Sequence, residues 1–311
     1  FPRAGRTSGP MAAQIIDGRQ YAQLLKNDVA IEVKRLREDD LNCGLATVVV
    51  GDNYSADAYE RRLGRVSHEL DIPYEMHRLP GTATQQQVVA TIDALNADPA
   101  VTGILVLRPL PEDINEAAVF RTLSPLKDIE AVHPENAGLL ALGTPRYVPS
   151  TAASVFHLLD TWLDQAGEDR QDFYHRSSIV IVGRSNNVGK PAVSLAYARQ
   201  AAVESIDEWA SRTGSLSKHT RRADVLIVAA GRIGLITAEH VSEGAVVIDV
   251  GINPFLHPET GEVHLVGDVD FASVAQVARA ITPVPGGVGP VTDVWLLRNT
   301  VAAARNLHAE T

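Results

Sequence analysis

From residue 11 onward the chain alternates short β-branched runs with stretches whose apolar positions recur at helical spacing. Residues 12–16 are apolar, and residues 21–36 then repeat Leu24 and Leu25, Val29, Ile31 and Val33, and Leu36, which predicts a helix. ATVVV at 46–50 reads as a buried-strand run, and Gly51-Asp52-Asn53 closes it with a turn signal. A helix over 55–70, a strand over 73–79 and a helix over 84–95 opened by Thr84 follow. VTGILVL at 101–107 is a further buried strand, stopped by Pro109-Leu110-Pro111.

After a helical stretch at 151–163, the polar segment 164–176 (DQAGEDRQDFYHR) reads as a domain junction. Beyond it the alternation restarts with a strand at 179–182, a helix at 188–199 and strands at 225–229 and 246–250. A closing helix over 291–307 carries Val294, Leu297, Val301 and Ala304 on one face. Strands separated by helices predict parallel βαβ units. The fold class is α/β in two lobes, with domains at 11–150 completed by 291–311, and at 151–290.

Composition narrows the function classes. At 311 residues, 45% hydrophobic and 21% charged, the chain is an ordinary globular one of two-domain length. Its net charge of −10 argues against binding nucleic acid or an anionic membrane. The single cysteine, Cys43, excludes an internal disulfide and a thiolate cluster, reads as a buried thiol, and fits a reducing, cytoplasmic setting. No apolar run approaches the roughly 20 residues of a membrane span. Residues 1–10, ahead of Met11, read as a tag remnant. His68, His77, His133, His157 and His175 lack ligand spacing, so no metal is expected. Arg61, Arg62 and Arg65 make a basic helical face, either simply solvated or attracting an anionic tail.

The sharpest local signal is the strand at 179–182 running into Gly183-Arg184-Ser185-Asn186-Asn187-Val188-Gly189-Lys190-Pro191 and a helix. Glycines let a backbone approach a pyrophosphate, and a helix N-terminus offers unpaired N–H groups. The spacing is not G-x-G-x-x-G, and Lys190 is not followed by Ser or Thr as in a Walker loop. Taken alone, the segment suits a nucleotide site or a plain glycine-packed turn.

GRSNNVGKP nevertheless resembles the GRSxxVGxP loop of the methylenetetrahydrofolate dehydrogenase/methenyltetrahydrofolate cyclohydrolase family. So do IIDGRQ at 15–20, VGDNYSADAY at 50–59, GILVLRPLP at 103–111, KDIEAVHPENAG at 127–138, DVGIN at 249–253, GDVDF at 267–271 and TPVPGGVGPVT at 282–292. The resemblance implies a homodimer whose active-site cleft lies between a folate-binding lobe and a Rossmann-like nicotinamide-binding lobe. It implies hydride transfer from a methylene bridge between two folate nitrogens to NAD or NADP, then hydrolysis of the methenyl product. The substrate would meet Tyr59, Pro109, Leu110, Glu130, Pro285, Gly286 and Gly287, with Arg62 near. The cofactor would meet Gly183, Arg184, Ser185, Val188, Gly189, Ala230, Gly231, Ile252 and Thr292.

The catalytic positions depart from the family pattern. Its Y-x-x-x-K becomes Tyr59 with Leu63, although Arg65 is kept. Arg62, three residues beyond Tyr59, replaces a charge but not a proton shuttle, since guanidinium keeps its proton. The glutamine of GILVQLPLP becomes Leu107, followed by Arg108, and the pterin-binding aspartate of KDVDG becomes Glu130, followed by Ala131 in place of glycine. Hydrolysis needs a titratable group within reach and hydride transfer does not. The expectation is therefore a folate-linked dehydrogenase without cyclohydrolase activity. An oxidoreductase acting on another carbon–nitrogen substrate in specialised metabolism and a non-catalytic binding relative remain alternatives. For the cofactor, the segment 201–213 is three residues longer than its family counterpart and places Asp207 and Glu208 at the expected strand end. Carboxylates there favour the free ribose diol of NAD. Arg184 and Ser211 align with family residues that can contact a 2′-phosphate, which keeps NADP open.

Overall fold

The computed structural model describes residues 13–256 and 261–309, so the predicted tag remnant lies outside the described residues. In chain order the elements begin with β1 (Gln14–Ile15), α1 (Gly18–Glu38), β2 (Leu45–Val50), α2 (Tyr54–Glu69), β3 (Tyr74–Leu79), α3 (Gln85–Ala97), β4 (Gly103–Val106), α4 (Glu116–Thr122) and α5 (Pro134–Ala141). There follow α6 (Ser150–Gln165), α7 (Arg170–Arg176), β5 (Ser178–Val182), α8 (Gly189–Ala198), β6 (Ala202–Ile206), α9 (Glu208–Arg212), α10 (Leu216–Thr220) and β7 (Val225–Val228). The last are β8 (Val246–Asp249), β9 (Asn253–Leu256), β10 (Val263–Val266), α11 (Phe271–Val274), β11 (Ala280–Ile281) and α12 (Val288–Ala309).

The chain divides into two compact units, one of residues 20–154 with 290–309, the other of residues 13–19 with 155–289. The first holds a three-stranded parallel sheet in the order β3-β2-β4. Every residue of β2 and β4 is buried, which is why both read as apolar runs, broken only by Thr47 in β2. Val48, Ile92, Ile104 and Val119 form the centre of that core. Thr84 caps α3 in a reciprocal capping box with Gln87, which fixes where the helix starts. On α12 the predicted stripe of Val294, Leu297, Val301 and Ala304 is buried. Asn299 on the same helix donates to the carbonyls of Ile129 (2.7 Å) and Val148 (2.9 Å), so α12 fixes the segment that carries Glu130.

The second unit holds a six-stranded sheet in the order β1-β11-β8-β7-β5-β6, with every pairing parallel. Because β1 pairs with β11, residues 13–19 belong with this sheet and not with the first lobe, where the sequence reading places them. The polar segment 164–176 is not a junction either. It contains α7, whose Phe173 and Tyr174 are buried, and the units divide between residues 154 and 155, inside the continuous helix α6. Farther along α6 the fully buried Trp162 donates its indole N–H to Gln14 Oε1 at 2.9 Å. The antiparallel hairpin β9–β10 was not foreseen. Its Phe255, Leu256, Val263 and Leu265 are exposed, so no buried alternation marks it. No described helix is long and apolar enough to cross a membrane.

Candidate active site

In the second unit the carboxyl ends of β5, β6 and β7 lie on one edge of a parallel sheet, the usual place for a nucleotide in an α/β fold. Gly183, directly after β5, has φ +118°, and a Cβ there would stand 2.1 Å from the carbonyl oxygen of Ala229. A Cβ on Gly189 would meet the Gly183 carbonyl oxygen at the same 2.1 Å, so only glycine permits this fold of the loop. Val188 offers α8 no side-chain cap. The Ser185 hydroxyl takes that role, accepting from the N–H groups of Val188 (3.2 Å) and Gly189 (3.4 Å). The two glycines thus draw the ends of the loop together and hold it against Ala229.

β6 ends at Ile206, opposite Val182, which puts Asp207 at the strand end as expected. Asp207 Oδ1 caps α9 by accepting from Trp209 N–H at 3.1 Å, and Oδ2 pairs with Arg184 at 3.0 Å. Arg184 also donates to the Ser205 carbonyl at 2.6 Å. Glu208 does not join this group, because its carboxylate pairs with Arg212 along α9. Ser211 accepts from Arg232 at 3.3 Å, which links it to the loop holding Ala230 and Gly231.

That loop is shaped by a residue the sequence reading missed. Buried Asp268 accepts the N–H groups of Ala230 (2.6 Å), Gly231 (2.8 Å) and Arg232 (2.9 Å), and the Asn253 amide at 2.8 Å. Its neighbour Asp249 accepts the N–H groups of Gly251, Asp268 and Val269, while burial pushes its carboxyl up to about 7. Ile252, after β8, is exposed. Pro285, Gly286 and Gly287 follow β11, with the Arg19 guanidinium against Gly286. Thr292 lies on α12 in the other unit and is buried.

In the first unit, Asn53 caps α2 just after β2 and thereby sets the positions of Tyr59, Arg62 and Leu63. Leu63 is 0% exposed and Leu107, just after β4, is 7% exposed, so both positions present buried aliphatic groups. Arg108 ion-pairs with Glu116 at 3.2 Å and lies over the Phe120 ring. The exposed Pro109 and half-buried Leu110 follow. Half-buried Glu130 accepts from the backbone N–H of Ser150 at 3.3 Å, and desolvation pushes its carboxyl up to about 7 against that bond. Arg62 grips Asp293, its Nε donating to Oδ2 at 2.5 Å and its Nη2 to Oδ1 at 3.2 Å, and its guanidinium carbon lies 5.0 Å from the Tyr59 ring centre. Burial, together with the carboxylates of Asp293 and Glu130, holds the Tyr59 phenol well above its ordinary value. Asp293 was also missed. The only sequence signal was a carboxylate inside an otherwise apolar stripe. His133 caps α5 by accepting from Glu135 N–H, which accounts for it structurally. Among the described residues no group of three or more His, Cys, Asp or Glu could hold a metal ion.

Residues 16–130 match the model of the tetrahydrofolate dehydrogenase/cyclohydrolase catalytic domain, and residues 149–308 match that of the family's NAD(P)-binding domain. The chain belongs to the tetrahydrofolate dehydrogenase/cyclohydrolase family. It is 59% identical over 301 residues to the bifunctional protein FolD 3 of Rubrobacter xylanophilus, covering 96% of this chain and 95% of that one. Among solved structures it is similar to the bifunctional methylenetetrahydrofolate dehydrogenase/cyclohydrolase FolD of Campylobacter jejuni (35% identity, TM-score 0.85, 95% of this chain and 100% of that one). It is also similar to the Trypanosoma brucei enzyme complexed with NADP and an inhibitor (31% identity, TM-score 0.87, 96% and 99%). The α/β architecture with a Rossmann-like NAD(P)-binding domain is thus that of the family, and the chain is an NAD(P)-dependent enzyme of this type.

Proposed function

We propose that this protein oxidises the methylene bridge of a reduced folate, uses NAD in preference to NADP, and has lost the hydrolysis of the methenyl product. The observation that carries this reading is the burial of two aliphatic side chains, Leu63 and Leu107, in a chain that keeps the glycine loop of Gly183 and Gly189.

When bound, the nicotinamide accepts the hydride, and the chemistry needs no acid or base from the protein because a neighbouring nitrogen stabilises the carbon left behind. The chain's task is to hold two rings in order. Tyr59 offers an aromatic face, and Glu130 a carboxylate for the amino-pyrimidinone edge. The loop of Gly183, Arg184, Ser185, Val188 and Gly189 receives the pyrophosphate, and Ala230 and Gly231, fixed by Asp268, flank it. Hydrolysis is different, because water has to lose a proton as it adds to carbon. Leu63 and Leu107 take none, the Tyr59 phenol stays protonated, Arg62 and Arg108 never release theirs, and the Glu130 carboxylate, bonded to the Ser150 N–H, is committed to the pterin edge. The bifunctional relatives and this chain part at that second activity. A symmetric dimer belongs to the same reading and rests on the family alone.

The cofactor choice is supported by Asp207. A 2′-phosphate seeking Arg184 would have to displace Asp207 and then face its carboxylate, whereas a free diol donates to that carboxylate. Binding titrations with NAD and NADP test this. NAD should bind more tightly, and Asp207→Ser should narrow the preference by roughly tenfold, about 1.4 kcal/mol. Glu208→Ser, already paired with Arg212, should leave it unchanged. Tighter NADP binding that neither substitution alters would overturn the NAD assignment.

A further inference from the structure

The pair Arg62–Asp293 joins one turn of α2 to a helix 231 residues away in sequence. Its two ends differ sharply. The Asp293 side chain is 4% exposed and the Arg62 side chain 37%. On α12 the sequence neighbours of Asp293, Val291, Thr292 and Val294, are buried as well. Buried ion pairs are poor devices for stability alone, because desolvating the charges offsets most of their attraction.

The guanidinium has donors to spare. Of its five N–H groups, the bonds to Asp293 use the one on Nε and one on Nη2. The others have no described hydrogen-bond partner within this unit, and the group faces the Tyr59 ring. Burial works against the charge of Arg62, but the hydrogen bond and charge of Asp293 outweigh it, so the group stays cationic.

We propose that Arg62, clamped by Asp293 and laid over Tyr59, orients the substrate in place of the lysine absent at position 63, donating from its free N–H groups to a carbonyl oxygen of the bound heterocycle. The inference rests on the folate reading and names the residues that make the site work without that lysine. Asp293 is the positioning residue. It fixes the plane of the fork and keeps the charge aimed at the Tyr59 side of α2. Because guanidinium does not exchange its proton, the device binds and orients without supplying the proton transfer that hydrolysis requires.

The test separates this role from packing. Removing Arg62 alone strands a buried carboxylate and threatens the fold, so the informative variant is the apolar double substitution Arg62→Met with Asp293→Leu. Thermal melting, kcat and KM for methylenetetrahydrofolate oxidation, and folate binding by fluorescence quenching are measured for it, for Arg62→Lys and for the unmodified protein. The double variant should melt no lower than the unmodified protein, yet lose roughly tenfold to hundredfold in kcat/KM, mostly through KM. Arg62→Lys, which keeps the charge and loses the fork, should recover part of that loss. A double variant with unchanged kcat/KM would show the pair to be packing only. Equal losses in Arg62→Lys and the double variant would likewise reject a role for the charge. An unmodified protein that neither binds folate nor transfers hydride would remove the substrate reading and this inference with it, an outcome distinct from the other two.

Discussion

Glu130 shows how one residue can set a pH dependence. Its carboxyl is pushed up to about 7 from an ordinary value of 4.5, chiefly by desolvation. If the carboxylate holds the pterin edge, kcat/KM for oxidation rises about tenfold per pH unit below 7 and levels off above it. Glu130→Gln should give a low, flat profile between pH 5.5 and 8.5. A steep profile persisting in that variant would assign the titration elsewhere. Stability runs the other way. The folded protein holds this proton more tightly than the unfolded chain does, so the contribution is full below about 4.5 and fades as pH rises to about 7, by at most about 3 kcal/mol. At this scale contiguous motifs let the sequence propose roles for Tyr59, Leu63, Leu107 and Glu130. It was silent on Asp293 and Asp268, whose partners lie 231 and up to 38 residues away and share no pattern with them.

Among elements, the strands buried on both faces and the capped helices were legible because burial and capping leave local marks. β2 is buried throughout and apolar but for Thr47, and Thr84 stands three residues ahead of Gln87. The segment 164–176 misled because α7 is short and mostly polar, with only Phe173 and Tyr174 turned inward. The turn between α4 and α5 carries a mark of its own. Ala131, where the family pattern has glycine, adopts φ +52° and is buried. A side chain in that left-handed region is strained, so Ala131→Gly should stabilise the protein by about 1 kcal/mol. Chemical denaturation would show this as a higher midpoint at unchanged slope. An unchanged or lower midpoint would mean that the turn has relaxed around the methyl group.

Across the whole molecule, the net charge of −10 and the lone half-buried Cys43, whose thiol burial raises to about 11, are consistent with a chain whose chemistry is neither thiol-based nor directed at polyanions. The two-unit organisation places Tyr59, Arg62 and Glu130 with one sheet and the glycine loop of Gly183 and Gly189 with the other. Under the proposed reading, one activity can be lost without the other because the groups assigned to proton transfer and those assigned to the nicotinamide lie on separate elements.

The most direct test of this account measures both reactions on one preparation, following cofactor reduction with methylenetetrahydrofolate and the disappearance of added methenyltetrahydrofolate. The account predicts cofactor reduction together with methenyl decay at the buffer rate, and partial recovery of hydrolysis in Leu63→Lys with Leu107→Gln. Methenyl hydrolysis well above the buffer rate by the unmodified protein would contradict it, and would assign the proton transfer to a group other than those at positions 63 and 107.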